Sequence, residues 1–300
     1  QHCRRLAHEG WDDVMILLIG LAVVFVGLLG SFAMNGHSPM ELVHPVEIVA
    51  IGGIALGAYL ASNSMHTVKA TPGAFMRAMR GAKYHKSQYL ELLSLQYQTF
   101  KLAKAKGMLA LEGHVEHPDD SNLFAQFPGF ASNKAALTFL CDYLRLLTLG
   151  TDNPNEVETL LDEEIDTLLE EDMHVQHAIQ WVADACPAIG IIAAVMGVIH
   201  IMSLISEPVD VIGYAIAAAL TGTLLGILLG YGMIGPVANA LKGAILEDIK
   251  YYRCIKAGLL AYMQGYAPAV CVEFARKTLN SDVRPSFYEV EEATQSLPPI

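Results

Sequence analysis

The chain carries little charge for its length. Of its 300 residues only 17% are Asp, Glu, Lys or Arg, while 53% are hydrophobic; soluble domains carry roughly 25% charged and roughly 45–50% apolar residues. Basic residues are the scarcer sign, with 19 Lys+Arg against 31 Asp+Glu and a formal net charge of −12. That balance excludes nucleic acid as a partner, because phosphate binding needs clustered Lys and Arg. Cysteine is sparse. Cys3, Cys141, Cys186, Cys254 and Cys271 share no CxxC spacing, which argues against a zinc ribbon or a disulfide framework and predicts free thiols. No GxSxG, P-loop or HExxH occurs, and no alternating strand pattern. His174 and His177 lie at i, i+3 without an implied third ligand, and read as part of a solvated acidic face. The expectation is a protein that is not an enzyme and holds no metal or cofactor.

The charge is absent altogether from four stretches. Met15–Met34, Ile48–Met65, Ala185–Ser206 and Val211–Leu241 contain no Asp, Glu, Lys or Arg, and only His200 interrupts the third. A helix crosses a bilayer core with about 20 apolar residues. The pattern predicts an all-α, polytopic membrane protein with four transmembrane helices in two pairs and a large helical cytoplasmic loop between them. Orientation follows from Lys and Arg. They precede the first run (Arg4, Arg5), follow the second (Lys69, Arg77, Arg80, Lys83, Lys86) and follow the fourth (Lys242, Lys250, Arg253, Lys256). The two short connections, Asn35–Glu47 and that around Glu207 and Asp210, have none. Both termini and the loop are therefore expected in the cytoplasm of a cell with this protein in its inner membrane.

The expected organisation is a non-native or variable extension over residues 1–14, helices one and two over 15–65, the loop over 66–184, helices three and four over 185–241, and a cytoplasmic helix and tail over 242–300. The first run reads as a span and not a signal peptide, since no small-residue cleavage site precedes Asn35. Within the loop, Tyr89, Leu92, Leu93, Gln96, Phe100 and Ala103 approximate a helical period. Ala135–Leu149 predicts a second helix, and Pro154 opens a third with Val157, Leu160, Leu161, Ile165 and Leu168 on one stripe and acidic residues on the other.

Three features of the last two spans carry the functional signal. Pro187 enters span three and Pro236 leaves span four; proline removes an amide donor, so each is either a helix stop or a hinge. Ala218, Gly222, Gly226 and Gly230 recur at i+4 and offer a face for close helix packing. Thr223 sits beside that face, where its hydroxyl either bonds its own backbone or lines a wet ion path. No ionisable group of fixed charge lies in mid-span, so an ion relay, which needs one, would take its carboxylate from a partner helix docked on the small-residue face.

The run Ala219-Leu220-Thr221-Gly222-Thr223-Leu224-Leu225-Gly226-Ile227-Leu228 followed by Pro236, with Ala183-Asp184-Ala185-Cys186-Pro187, His44-Pro45-Val46-Glu47, Gly265-Tyr266-Ala267-Pro268 and Arg284-Pro285-Ser286-Phe287, resembles the MotA family of flagellar motor stator proteins, within the MotA/TolQ/ExbB proton channel superfamily. The resemblance begins at Met15 and covers almost all the rest. It implies a pentameric ring around two copies of MotB, whose membrane helix supplies the ion-binding Asp, and torque delivered to the rotor protein FliG. It assigns conformational coupling to Pro187 and Pro236, the ion path to Thr223 and Ala194, and rotor contact to Lys104, Glu112 and Glu164. Lys104 departs from the Arg of relatives, and Lys lacks its planar bidentate geometry. Sodium-type relatives carry Thr where this chain has Ala194, so the resemblance implies proton coupling. The alternative is an ExbB/TolQ-like energiser of outer-membrane processes, against which four spans and the long tail argue.

Overall fold

A computed structural model describes residues 9–36 and 38–298. Among these there is no strand. The helices are α1 (Glu9–Met34), α2 (Pro45–Ser62), α3 (Met65–Arg80), α4 (Lys86–Lys106), α5 (Glu112–Glu116), α6 (Pro128–Ser132), α7 (Lys134–Thr148), α8 (Pro154–Ser203), α9 (Val209–Ile227), α10 (Gly235–Met263), α11 (Pro268–Lys277) and α12 (Phe287–Gln295). Short 3₁₀ turns join several of them, and a π-helical segment, Leu228–Ile234, joins α9 to α10. Four helices are long and apolar enough to cross a membrane: Met15–Met34 within α1, α2, α8, and the α9–α10 run. Residues 1–8 of the expected extension, with Cys3, Arg4 and Arg5, lie outside the described residues, as do His37, Pro299 and Ile300.

The chain forms two compact units, residues 1–81 with 171–244 and residues 82–170 with 245–300. The first unit holds the apolar helices. It also takes in residues 66–81 and 171–184, which the charge pattern had placed in the loop. The second apolar run stops at Ser62 and not Met65, for a local reason. Ser62 Oγ and Asn63 Nδ2 donate to carbonyls of the last turn, Ala58 O and Tyr59 O, at 2.8 Å each. Ser64 then accepts from Thr67 N at 3.3 Å and caps the next helix, α3. Arg77 of α3 pairs with Asp172 of α8 at 2.7 Å.

The second unit is a conventional soluble core. α4 is buried along most of its length, including Tyr89, Leu92, Leu93, Leu95, Phe100 and Leu102, and so behaves as a central core helix. Tyr84 stacks on Tyr251 at 3.9 Å and Phe100 on Tyr262 at 5.0 Å. The buried Asp248 accepts from Lys83 N at 2.6 Å, closing the turn ahead of α4. The tail is ordered helix here: α12 opens with a capping box in which Ser286 accepts from Glu289 N and Glu289 accepts from Ser286 N. Cys141, Cys254 and Cys271 are buried free thiols in this unit, and Cys186 is a buried free thiol in the first.

Candidate functional site

The site is built where α8 meets α9 in the first unit. Of the two readings of the prolines, the structure removes the helix stop. Pro187 lies inside an unbroken α8. Its missing N–H leaves the Ala183 carbonyl, four residues back, without its usual partner. That carbonyl and Pro187 Cδ both point at Gly230, where a Cβ would lie 2.9 Å from the proline ring. Only glycine allows this approach. Pro236 likewise ends nothing: the chain stays helical to Met263. The irregularity lies just upstream, in the π segment, where Gly235 N donates to Gly230 O in a five-residue step. Gly230 thus meets the Pro187 ring on one side and, within its own helix, accepts from the Gly235 amide that immediately precedes Pro236. Sequence reasoning missed the π segment; its local signal was Gly230, Gly232, Gly235 and Pro236 in close order.

The small-residue face is occupied by this chain itself, which corrects its assignment to a partner helix. A Cβ at Gly226 would lie 2.6 Å from Cys186 O and 2.7 Å from Gly190 Cα. A Cβ at Gly222 would lie 3.2 Å from Ala193 Cβ, 3.5 Å from Ala194 N and 3.6 Å from Glu47 Cγ. On the α8 side, a Cβ at Gly197 would lie 2.6 Å from Ala219 Cβ. The packed row is therefore Ala219, Gly222, Gly226 and Gly230, with Ala219 buried and Ala218 half-buried beside it. α2 completes the seam through Ile51, which is fully buried with Ile189 and Ala193.

Thr223 and Ala194 are both half-buried at this seam. Thr221, not Thr223, spends its hydroxyl on its own helix, donating to Ala217 O at 2.9 Å. Thr223 Oγ1 has no hydrogen-bond partner among the described residues.

The loop residues lie in the second unit. Lys104 is exposed in the last turn of α4 and borders a pocket of about 270 Å³ with Met108, Leu147, Asp152, Tyr262 and Tyr266. Glu112 is exposed at the start of α5. Neither has an ion pair among the described residues. Glu164 is exposed but engaged, accepting from Tyr143 Oη at 2.7 Å. Burial, and then Glu164 itself, raises the Tyr143 pKa, so the phenol stays the donor. Lys101 lies over the Tyr97 ring at 5.7 Å. Among the described residues no group of three or more His, Cys, Asp or Glu is placed to hold a metal.

Residues 18–107 match the family model described as Motility protein A N-terminal, and residues 132–253 match that of the MotA/TolQ/ExbB proton channel family. Motility protein A of Salmonella typhimurium is 41% identical over 94% of this chain and 96% of its own. The chain belongs to the MotA family. It is a flagellar motor stator subunit of the proton channel superfamily. Motility protein A of Escherichia coli is 40% identical over 94% of this chain and 96% of its own, and the chemotaxis protein LafT of Vibrio parahaemolyticus is 29% identical over 91% and 96%. The flagellar MotAB stator complex of Bacillus subtilis superposes with a TM-score of 0.68 at 26% identity, over 85% of this chain and 92% of that one. The C. jejuni MotAB structure, at 19% identity and a TM-score of 0.74, shows the same fold over 91% and 98%. The match to a model specific for the MotA N-terminal region disfavours the ExbB/TolQ alternative.

Proposed function

We propose that this MotA-family subunit forms a pentameric ring around two copies of MotB in the lipid of the bacterial inner membrane, with both termini and the second unit in the cytoplasm. The MotB helices bring the ion-binding Asp. Thr223 and Ala194 face the proton's route, and Ala194 leaves too few oxygen ligands for sodium. The ring acts as a motor part and not an enzyme. It delivers torque to FliG through Lys104 and Glu112, whose charges are not consumed within the chain, with Glu164 a lesser contributor because Tyr143 already engages it.

The observation that carries this reading is the convergence of Pro187 and the π segment before Pro236 on Gly230. A helix pair in which prolines remove usual backbone donors and one turn makes a five-residue step has a backbone ladder able to change partners, which suits a seam that responds to protonation of a neighbouring helix. Replacing Pro187 with Ala restores the amide donor to Ala183 O. Membrane levels should stay normal while motor torque is lost. Full torque in Pro187→Ala would refute the coupling role.

A further inference from the structure

One carboxylate lies deeper in the seam than the charge pattern implies. α2 begins at Pro45, so Glu47 belongs to its first turn and to the second candidate span. It shares a helix face with Ile51 and Ala55, at i+4 and i+8, and that face is the one buried against α8 and the π segment. Glu47 Cγ reaches 3.6 Å from the position of a Gly222 Cβ. Gly222 stands about 20 Å along the helix from Val209, midway through residues 209–234. Thr221 and Thr223 flank it, and Ala193 and the Ala194 amide lie across from it.

Glu47 has no hydrogen bond and no ion pair among the described residues. The other titratable groups on the packed elements are few. His44, one turn back, is buried with its ring 5.5 Å from that of Tyr214 on α9. α9 otherwise carries only Asp210, and the apolar length of α8 only Cys186 and His200. No Lys or Arg lies on any of these stretches. A carboxylate held in a span without a cationic partner is costly, and such residues are retained for transport. Salt bridging does not explain this one.

We propose that Glu47 is a proton-relay residue of the path. It takes a proton from the outward-facing side to become a neutral carboxylic acid. It then releases that proton at the level of Gly222 and Thr223 to the carboxylate of the partner helix, returning to the carboxylate. The assignment rests on the proton coupling and orientation proposed above. A first-turn acid also favours a helix start through the helix dipole, so the test must separate relay from capping.

The test is rotation speed of cells bearing Glu47→Gln or Glu47→Asp, measured at low load from mildly acidic to mildly alkaline external pH, with membrane levels by immunoblot. Glu47→Gln should slow rotation roughly tenfold at the alkaline end, where protons are scarce, and by less than about threefold at the acidic end. Glu47→Asp should recover most of the speed. Wild-type speed in Glu47→Gln at every pH, or slowing by one constant factor, would overturn the relay. If Glu47→Gln does not accumulate, Glu47→Asp decides: slowing that deepens with rising pH supports the relay, while a flat deficit or absence of both variants makes Glu47 structural. Wild-type cells run alongside with varied sodium separate the two ideas. Speed that follows sodium and ignores pH refutes proton coupling itself; wild-type speed that follows pH beside a flat Glu47→Gln profile refutes only the relay.

Discussion

Replacing Gly226 with Ala probes the α8–α9 seam most directly. The new Cβ would meet Cys186 O at 2.6 Å, Gly190 Cα at 2.7 Å and Gly190 N at 3.0 Å. All three are backbone atoms, so no side chain can rotate away. Restoring ordinary contacts of about 3.5 Å requires the two helices to part locally by close to 1 Å. Overpacking of this size costs about 1–3 kcal/mol. Helix propensity returns up to about 1 kcal/mol, since Ala is favoured over Gly in a helix. Three clashes with backbone put this site in the upper part of that range, about 2–3 kcal/mol, so the net loss is on the order of 1–2 kcal/mol, concentrated at the seam that holds Gly230 and Pro187. Gly27→Ala is the control: nothing lies within 4 Å of a Cβ there, so only the propensity gain remains. Thermal unfolding of the detergent-solubilised assembly should give a midpoint for Gly226→Ala a few degrees below wild type, and for Gly27→Ala one at or above wild type. Swimming should fail only in the first. Equal midpoints for the two variants would refute the close-packed seam.

Reversing charge at Lys104 or Glu112 should cut motility severalfold at unchanged membrane level, because neither residue supports an internal ion pair; a compensating reversal on the rotor partner should recover part of it, and normal swimming of both single variants would place the contact elsewhere. Glu289 is held down to about pKa 2 from 4.5, first by the Lys86 ammonium at 2.8 Å and next by the Ser286 amide. A depressed carboxylate stabilises the fold above its unfolded pKa and loses that stabilisation as pH falls through the folded one. Both partners are about two-fifths exposed, so screening reduces the pair to about 0.5–1 kcal/mol. Glu289→Gln should thus lower the unfolding midpoint by a constant amount above about pH 5, with the gap closing between about pH 4.5 and pH 2; a gap that persists unchanged at pH 2 would show that the carboxylate charge is not its source.

How much of this was legible in the sequence depends on whether a feature is decided by composition or by a neighbour. Exclusion of charge is compositional, and it located four spans. Their ends were set by single hydrogen bonds, such as Asn63 to Tyr59 O, which no composition shows. The glycine row announced a close approach but not the identity of the visitor; the run itself fits a partner helix as well as α8. Lys104 stands out from Lys101 only through family resemblance and through the ring that occupies Lys101. Glu47 is the instructive miss. Counting from the first uncharged residue started the second span at Ile48 and left the carboxylate outside. Yet Pro45 is a favoured first helical residue, and stepping back four from Ile51 lands on Glu47. A helical period carried upstream to its proline, and not stopped at the last charge, puts that carboxylate on the buried face from sequence alone. The same correction applies wherever an acidic residue closely follows a proline at the mouth of an apolar run: the absence of charge marks the lipid-facing length of a helix, whereas its hydrogen bonds mark how far the packed face extends.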